Sequence, residues 1–253
     1  MGRNYWGRRG IINSINIKKL IQDKQLYCAY QPLIHSRNHT IFSYEALLRT
    51  TTGIDPSEIF QKAREDSLLY EMDTFCIENA LREYPNEHIG KYPLFINIFP
   101  STIIHTHFKD FIRRLTLNNL NIASQIVFEI NETSYEEDIW EDKLFIKRIS
   151  MLKSLGFNVA LDDLRITKTA FNKIKMVSPA FIKLDHTRAK GLSISIEKQE
   201  LILFFLEFTR EKIRLVLEGI ESKEELLTAK QLGVPLLQGN YISKPKRLKI
   251  NEA

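Results

Sequence analysis

The sequence predicts an α/β barrel of the (β/α)8 type, TIM-like, with one strand antiparallel to the others. Three observations predict it. Short apolar runs alternate with longer helical periodicities along most of the chain, the pattern of strands each followed by a helix. The first two runs are instead joined by a polar turn, SRNHT at residues 36–40, which makes a hairpin and reverses one strand. Finally, eight runs each carry, at or near their end, a group suited to a metal or a phosphate. A barrel of parallel strands brings such ends to one face, where active sites sit.

The elements follow in order. Residues 1–24 are basic and mixed, with a short helix expected over 14–23. LYCAYQPL forms the first strand and the run containing YEALLR the second. Asp55–Pro56–Ser57 opens a helix that carries Ile59, Ala63, Leu68 and Leu69 at helical spacing. A second helix covers 71–84, with Phe75, Ile77 and Leu81, and Pro85 ends it. Strands at 94–98, 125–130, 157–162, 180–184, 213–217 and 235–240 then alternate with helices at 101–118, 137–155, 168–176, 195–210 and 222–232. His105 and His107 open one of these helices and read as surface residues. The division expected is a basic segment 1–24, a barrel domain 25–246 and a tail 247–253.

At 253 residues and 43% hydrophobic content, one domain of barrel size has apolar residues enough for a core. A net charge of +5 suits an anionic ligand without requiring one. Its excess lies at the ends, in Arg3, Arg8 and Arg9 and in Lys244, Lys246, Arg247 and Lys249. These read as solvated tails, and no DNA binding is expected. Cys28 and Cys76 lack metal-type spacing and read as buried thiols of a reducing compartment. The longest apolar stretch, residues 201–208, is too short to span a bilayer, and no signal segment is present. The expectation is a cytoplasmic protein without a transmembrane segment.

The site residues are chemically of one kind. Glu45, Asn97, Glu129 and Asp162 are hard oxygen donors, with no Cys or His among them. That set suits Mg²⁺ or Mn²⁺ and not zinc. Asp163 follows Asp162 directly; both reach one site only where the strand turns into a loop. Asp162 then bridges two ions about 3.5–4 Å apart, with Glu218 on the second. Lys183 holds the attacking water or neutralises phosphate charge. Each position also has a plainer reading by itself. Asn97 fits a turn before Pro100, the Asp pair fits a helix cap, and Lys183 a solvated lysine. Their shared place at strand ends favours a site.

These residues carry a family resemblance. YQPLIHSRNHTIFSYEALLRT (30–50), FINIFPS, FEINE (128–132), LDDL followed by FIKLD, LEGIES (217–222) and LLQGNYISKP (236–245) resemble the ordered motifs of EAL domains. That family contains bacterial phosphodiesterases that open cyclic di-GMP. The resemblance covers roughly 25–246. It implies that Glu45, Asn97, Glu129 and Asp162 ligate one metal and Asp162, Asp163 and Glu218 the second. It also implies that Lys183 contacts the nucleophilic water, with Gln238 supporting the site and Glu132 the loop after the Asp pair. Gln31, Leu47 and Arg49 would contact the dinucleotide, Arg49 through paired donors, and Asp185 would read a guanine edge. The implied reaction is metal-dependent hydrolysis of cyclic di-GMP to linear pGpG, in a possible homodimer. One departure matters: where the family continues DDFGTGYSSL, this chain reads DDLRITKTAF at 162–171. Both loop glycines are gone, and with them the freedom to take positive φ. Asn131 replaces the family's Thr beside that loop. The expectation is a slow enzyme; the alternative is a weak or inactive domain acting as a cyclic di-GMP receptor or protein-interaction module.

Overall fold

The computed structural model describes residues 15–117, 122–131, 134–163, 168–209 and 212–248. The eight strands close into one barrel in sequence order. They are β1 (Leu26–His35), β2 (Ile41–Thr50), β3 (Leu94–Ile98), β4 (Ile126–Asn131), β5 (Asn158–Asp162), β6 (Phe181–Leu184), β7 (Arg214–Leu217) and β8 (Leu236–Leu237). β1 pairs antiparallel with both β2 and β8, and every other pairing is parallel. The reversed strand is the one the SRNHT hairpin predicted. In that turn His39 takes φ +57°, and the Asn38 side chain accepts from Thr40 N at 3.1 Å.

The helices are α1 (Ile17–Gln22), α2 (Pro56–Glu65), α3 (Leu69–Arg82), α4 (Pro100–Ile104), α5 (Phe108–Leu117), α6 (Ile122–Gln125), α7 (Lys143–Ser154), α8 (Lys168–Val177), α9 (His186–Ala189), α10 (Ile196–Thr209) and α11 (Lys223–Gln231). Asp55 caps α2 by accepting from Ser57 N at 2.8 Å, with Pro56 in the first turn. Ser222 and Glu225 cap α11 reciprocally. Two expected helices are shorter than their periodicity. The one expected over 101–118 breaks where His105 leaves helical geometry at ψ 145°, and His105 stacks on Tyr70 with centroids 3.7 Å apart. The one expected over 137–155 starts behind Asp142, whose carboxylate caps it at Leu144 N, 2.7 Å away. A 3-10 segment, Ser134–Glu141, precedes it. No helix among the described residues is long and apolar enough to cross a membrane.

Alternate residues of each strand face the barrel interior. Leu33, Phe95, Val127, Ala160, Phe181, Val216 and Leu236 form one apolar cluster there, each at most 2% exposed. The register steps by two residues at the β2/β3, β4/β5 and β6/β7 pairings, the stagger that tilts the strands and closes the barrel. A larger core fills the space between strands and helices, and a third cluster packs α1, α2 and α3 together. Gly219, at φ +70°, meets the start of α9, where an added Cβ would lie 2.2 Å from His186 Cβ.

Candidate active site

The inward positions next along the strands are polar. They are Gln31, Glu45, Asn97, Glu129, Asp162 and Lys183, with Glu218 and Gln238 just past β7 and β8. Lys183 is fully buried at their centre. Its Nζ lies 2.5 Å from Glu218, 2.6 Å from Glu129, 3.3 Å from Glu45 and 3.6 Å from Asp162. Gln238 Nε2 donates to Glu45 Oε2 at 2.7 Å and to Gln31 Oε1 at 3.2 Å. Asn97 Nδ2 reaches Glu45 and Glu129, both at 3.4 Å.

The strand-end expectation holds for Asp162, Glu218 and Gln238 but not for Glu45, which sits in the middle of β2. The antiparallel ladder with β1 continues beyond it, pairing Leu47 with Ala29 and Arg49 with Tyr27. A two-stranded ribbon thus rises over the mouth and carries Leu47 and Arg49 above the acidic ring. Asp163 leaves β5 with φ +50°, and this turn lets the Asp pair share a site. Oxygens of Asp162, Asp163 and Glu218 lie within 4.8 Å of one another.

The electrostatics are those of a cation-binding centre. Four carboxylates surround one ammonium, which has only three protons to donate. Glu129 Oε1, Asp162 Oδ1 and Lys183 Nζ are all buried, so these charges balance one another out of reach of solvent. Burial, reinforced by Glu45, pushes the Glu129 carboxyl well above its usual range. Burial likewise raises Asp162 to about 6 against the pull of Lys183, and raises Glu218 strongly. Burial also acts on Glu45, but Lys183 and the Gln238 hydrogen bond outweigh it and hold that carboxyl low. Burial works against the Lys183 charge, yet the surrounding carboxylates, Asp162 and Glu129 foremost, raise its pKa well above normal. This excess of buried negative charge, on hard oxygen donors, fits divalent cations. Asn97 turned over about its amide would add a neutral oxygen.

The predicted ligand-binding residues are not all together. Leu47 and Arg49 line a cavity of about 690 Å³ that also touches Asn97 and Asn131. Gln31 does not line that cavity; it pairs with Glu45 across the β1–β2 ladder and donates to Ser243 O at 3.0 Å. Asp185 follows β6, outside that cavity, and accepts from Thr187 Oγ1 at 2.7 Å. Asn131 donates to Asp163 at 3.3 Å and to Asp162 at 3.5 Å. Glu132, the altered loop at 164–167, Arg3, Arg8, Arg9 and Lys249 fall outside the described residues. Cys28 is buried as expected, whereas Cys76 is partly exposed; both line the cavity.

Sequence reasoning missed the wall that α2 and α3 provide. Phe60, Arg64 and Asp73 line the same cavity. Asp73 is 1% exposed, and burial lifts its carboxyl to about 7 although it accepts from Phe99 N at 3.0 Å. Arg64 reaches Glu136 at 2.7 Å, and Glu136 accepts from Ser101 N at 3.1 Å and Ser101 Oγ at 2.9 Å. These bonds fix the turn that follows Asn97. The available signal was an acid among apolar positions of a helix: Asp73 lies between Met72 and Ile77, both fully buried.

Residues 15–245 match the sequence model of the EAL domain. The chain belongs to the EAL domain family. Among curated relatives, the probable cyclic di-GMP phosphodiesterase PdeG of Escherichia coli is 26% identical over 242 residues, 90% of this chain and 46% of PdeG. The chain therefore spans less than half of that relative. The EAL enzyme Bd1971, solved with cAMP and cyclic di-GMP bound, superposes with a TM-score of 0.82 at 21% identity, covering 97% of this chain and 68% of that one. BlrP1 of Klebsiella pneumoniae, solved as a manganese and cyclic di-GMP complex, gives 0.76 at 26% identity, with 88% and 56% covered.

Proposed function

We propose that this EAL domain hydrolyses one phosphodiester bond of cyclic di-GMP to give linear pGpG, using two divalent ions, Mg²⁺ or Mn²⁺. The observation that carries the reading is the ring of Glu45, Glu129, Asp162 and Glu218 around buried Lys183. The relatives' names and the manganese complex of BlrP1 support it. Glu45, Asn97, Glu129 and Asp162 would hold the first ion, and Asp162, Asp163 and Glu218 the second. Such ions, when bound, supply an acidified water and offset charge on the phosphate. Lys183 positions the water oxygen for in-line attack on phosphorus and stabilises the charge that builds there. One phosphorus–oxygen bond forms, the bond to one ribose oxygen breaks, and the water proton passes to the departing oxygen. Gln238 keeps Glu45 oriented, Arg49 and Leu47 hold the dinucleotide from the ribbon, Gln31 contacts it from β1 beside Glu45, and Asp185 accepts from a guanine edge. Glu132 is assigned to support of the loop after the Asp pair. Since cyclic di-GMP acts inside bacterial cells, the domain works in the cytoplasm.

The DDLRIT sequence at 162–167 favours a second reading, a slow or silent domain that binds cyclic di-GMP as a receptor. We also propose a homodimer through α8 and α10. Leu203, Phe204 and Phe208 on α10 are 47%, 50% and 38% exposed; Phe204 and Phe208 each pack edge-on against Phe171 of α8 and stack on one another. An apolar face of that kind is covered in an assembly more often than left to water. The deciding experiment incubates the protein with cyclic di-GMP and Mn²⁺, or with chelator, and analyses products by chromatography. Metal-dependent pGpG is the expected result. Binding without product at any metal concentration installs the receptor reading. Sedimentation of Phe204→Glu tests the dimer.

A further inference from the structure

We propose that a second cavity, about 660 Å³ and distinct from the catalytic cleft, binds a nucleoside monophosphate. It lies where the start of β1 meets α3 and the segment after β8, and Cys28 is the wall it shares with the cleft. Its rim carries Lys24, Arg82 and Arg247, all exposed. None of the three makes an ion pair among the described residues; Arg82 donates only to Asn79. The lining holds a single acid, Glu83, and both its oxygens are engaged, Oε2 by Cys28 N at 2.8 Å and Oε1 by Asn79 Nδ2 at 3.0 Å. Three cations around one concavity repel each other, and a phosphate dianion relieves that repulsion.

The aromatic component makes the ligand a nucleotide and not a bare phosphate. The Arg247 guanidinium lies over the Tyr27 ring, 3.9 Å from its centroid, and the residue is exposed; a planar base can stack on this pair while the guanidinium donors take phosphate oxygens. Phe75 and Tyr30 supply apolar floor, and the volume falls within the range of small-ligand sites. The segment bearing Arg247 also touches the catalytic mouth. Lys246 exchanges two backbone hydrogen bonds with Tyr30, and Gln31 donates to Ser243 O. A ligand here therefore bears on the strap that contacts Gln31.

Isothermal titration of the full chain in chelator, with GMP and with inorganic phosphate, tests this. GMP binds wild type, and binds Lys24→Ala/Arg247→Ala and Arg82→Glu at least about tenfold more weakly, a loss of about 1.4 kcal/mol or more. Arg49→Ala, in the catalytic cleft, keeps its GMP affinity within about twofold. Unchanged melting temperatures establish that the exposed-site variants fold. No GMP binding overturns the proposal. So does loss with Arg49→Ala alone, which puts the nucleotide in the cleft, and so does phosphate binding as tight as GMP, which removes the nucleoside. The outcome is independent of whether cyclic di-GMP is turned over.

Discussion

Two sets of inward-facing residues, one pleat apart on the same strands, divide the work of this barrel. On β3 to β8 the pairs are Phe95 and Asn97, Val127 and Glu129, Ala160 and Asp162, Phe181 and Lys183, Val216 and Glu218, and Leu236 and Gln238. The lower member of each packs into one dry cluster. The upper member joins the charged ring around Lys183. Both sets lie on the same strands and are mostly buried, so what separates them is side-chain chemistry. Apolar burial in the lower set stabilises the fold, at about 25 cal/mol per Å². The upper set opposes folding, because removing like charges from water costs several kcal/mol per ion. Only a site put to use justifies retaining such a ring.

Breaking the upper set affects chemistry most. Asp162→Asn, or Glu45→Ala, lowers turnover by at least about a thousandfold, because each removes an oxygen from the proposed metal site. Thermal unfolding in chelator shows Asp162→Asn at least as stable as wild type, since burial and its acidic neighbours raise that carboxyl, whereas Glu45→Ala is less stable, having lost the attraction to Lys183 and the Gln238 hydrogen bond. A variant that retains full turnover removes its residue from the site. Breaking the lower set reverses the pattern. Phe95→Ala costs about 3–5 kcal/mol in denaturant unfolding, the usual penalty of a core cavity. Residual folded protein keeps metal-dependent turnover if the two sets are separable.

Lys183 sharpens the comparison, since it is the upper set's one cation. Lys183→Ala lowers kcat about a hundredfold while cyclic di-GMP affinity falls less than about fivefold, because charge builds on phosphate only at the transition state. Equal losses in rate and affinity instead make Lys183 a ground-state clamp.

The division was largely legible in the sequence. Apolar runs with a polar residue near the end gave the barrel and the members of the ring, and SRNHT gave the reversed strand. What was not legible depends on pairing partners. The height of Glu45 within β2 follows from how far β1 runs beside it, which no local pattern in YEALLR encodes. The cavity wall from α2 and α3 follows from how helices settle on the ribbon, so Asp73 read as one more helical acid.

Asp73 also supplies a pH test. Its folded carboxyl is raised to about 7 from an ordinary 3.8. The folded state therefore holds the proton over a window in which the unfolded chain has lost it. The corresponding stability is fully present below about pH 4 and is lost as pH rises through about 7. Asp73→Asn keeps an acceptor for Phe99 N but cannot ionise. Chemical denaturation of wild type and variant from pH 4 to 8 should show a flatter profile for the variant. Parallel profiles would mean that Asp73 stays ionised and is paired more effectively than its burial implies.

The smallest expected effect is at Asn131, where the family carries Thr. Asn131 is the one upper residue on β4 past Glu129, and its amide bridges both members of the Asp pair. At 3.5 and 3.3 Å these bonds are long, and long N–H to O contacts contribute little. Asn131→Thr therefore changes turnover by less than about fivefold, within the roughly 1 kcal/mol of an ordinary hydrogen bond. Metal titrations of the two proteins separate the causes of any larger change. If Thr raises activity only at low Mn²⁺, the Asn bridge limits the geometry of Asp163. If it raises activity equally at all metal concentrations, position 131 acts on the substrate instead. If Asn131→Thr is neutral while Arg165→Gly with Thr167→Gly accelerates turnover, the missing glycines alone set the rate.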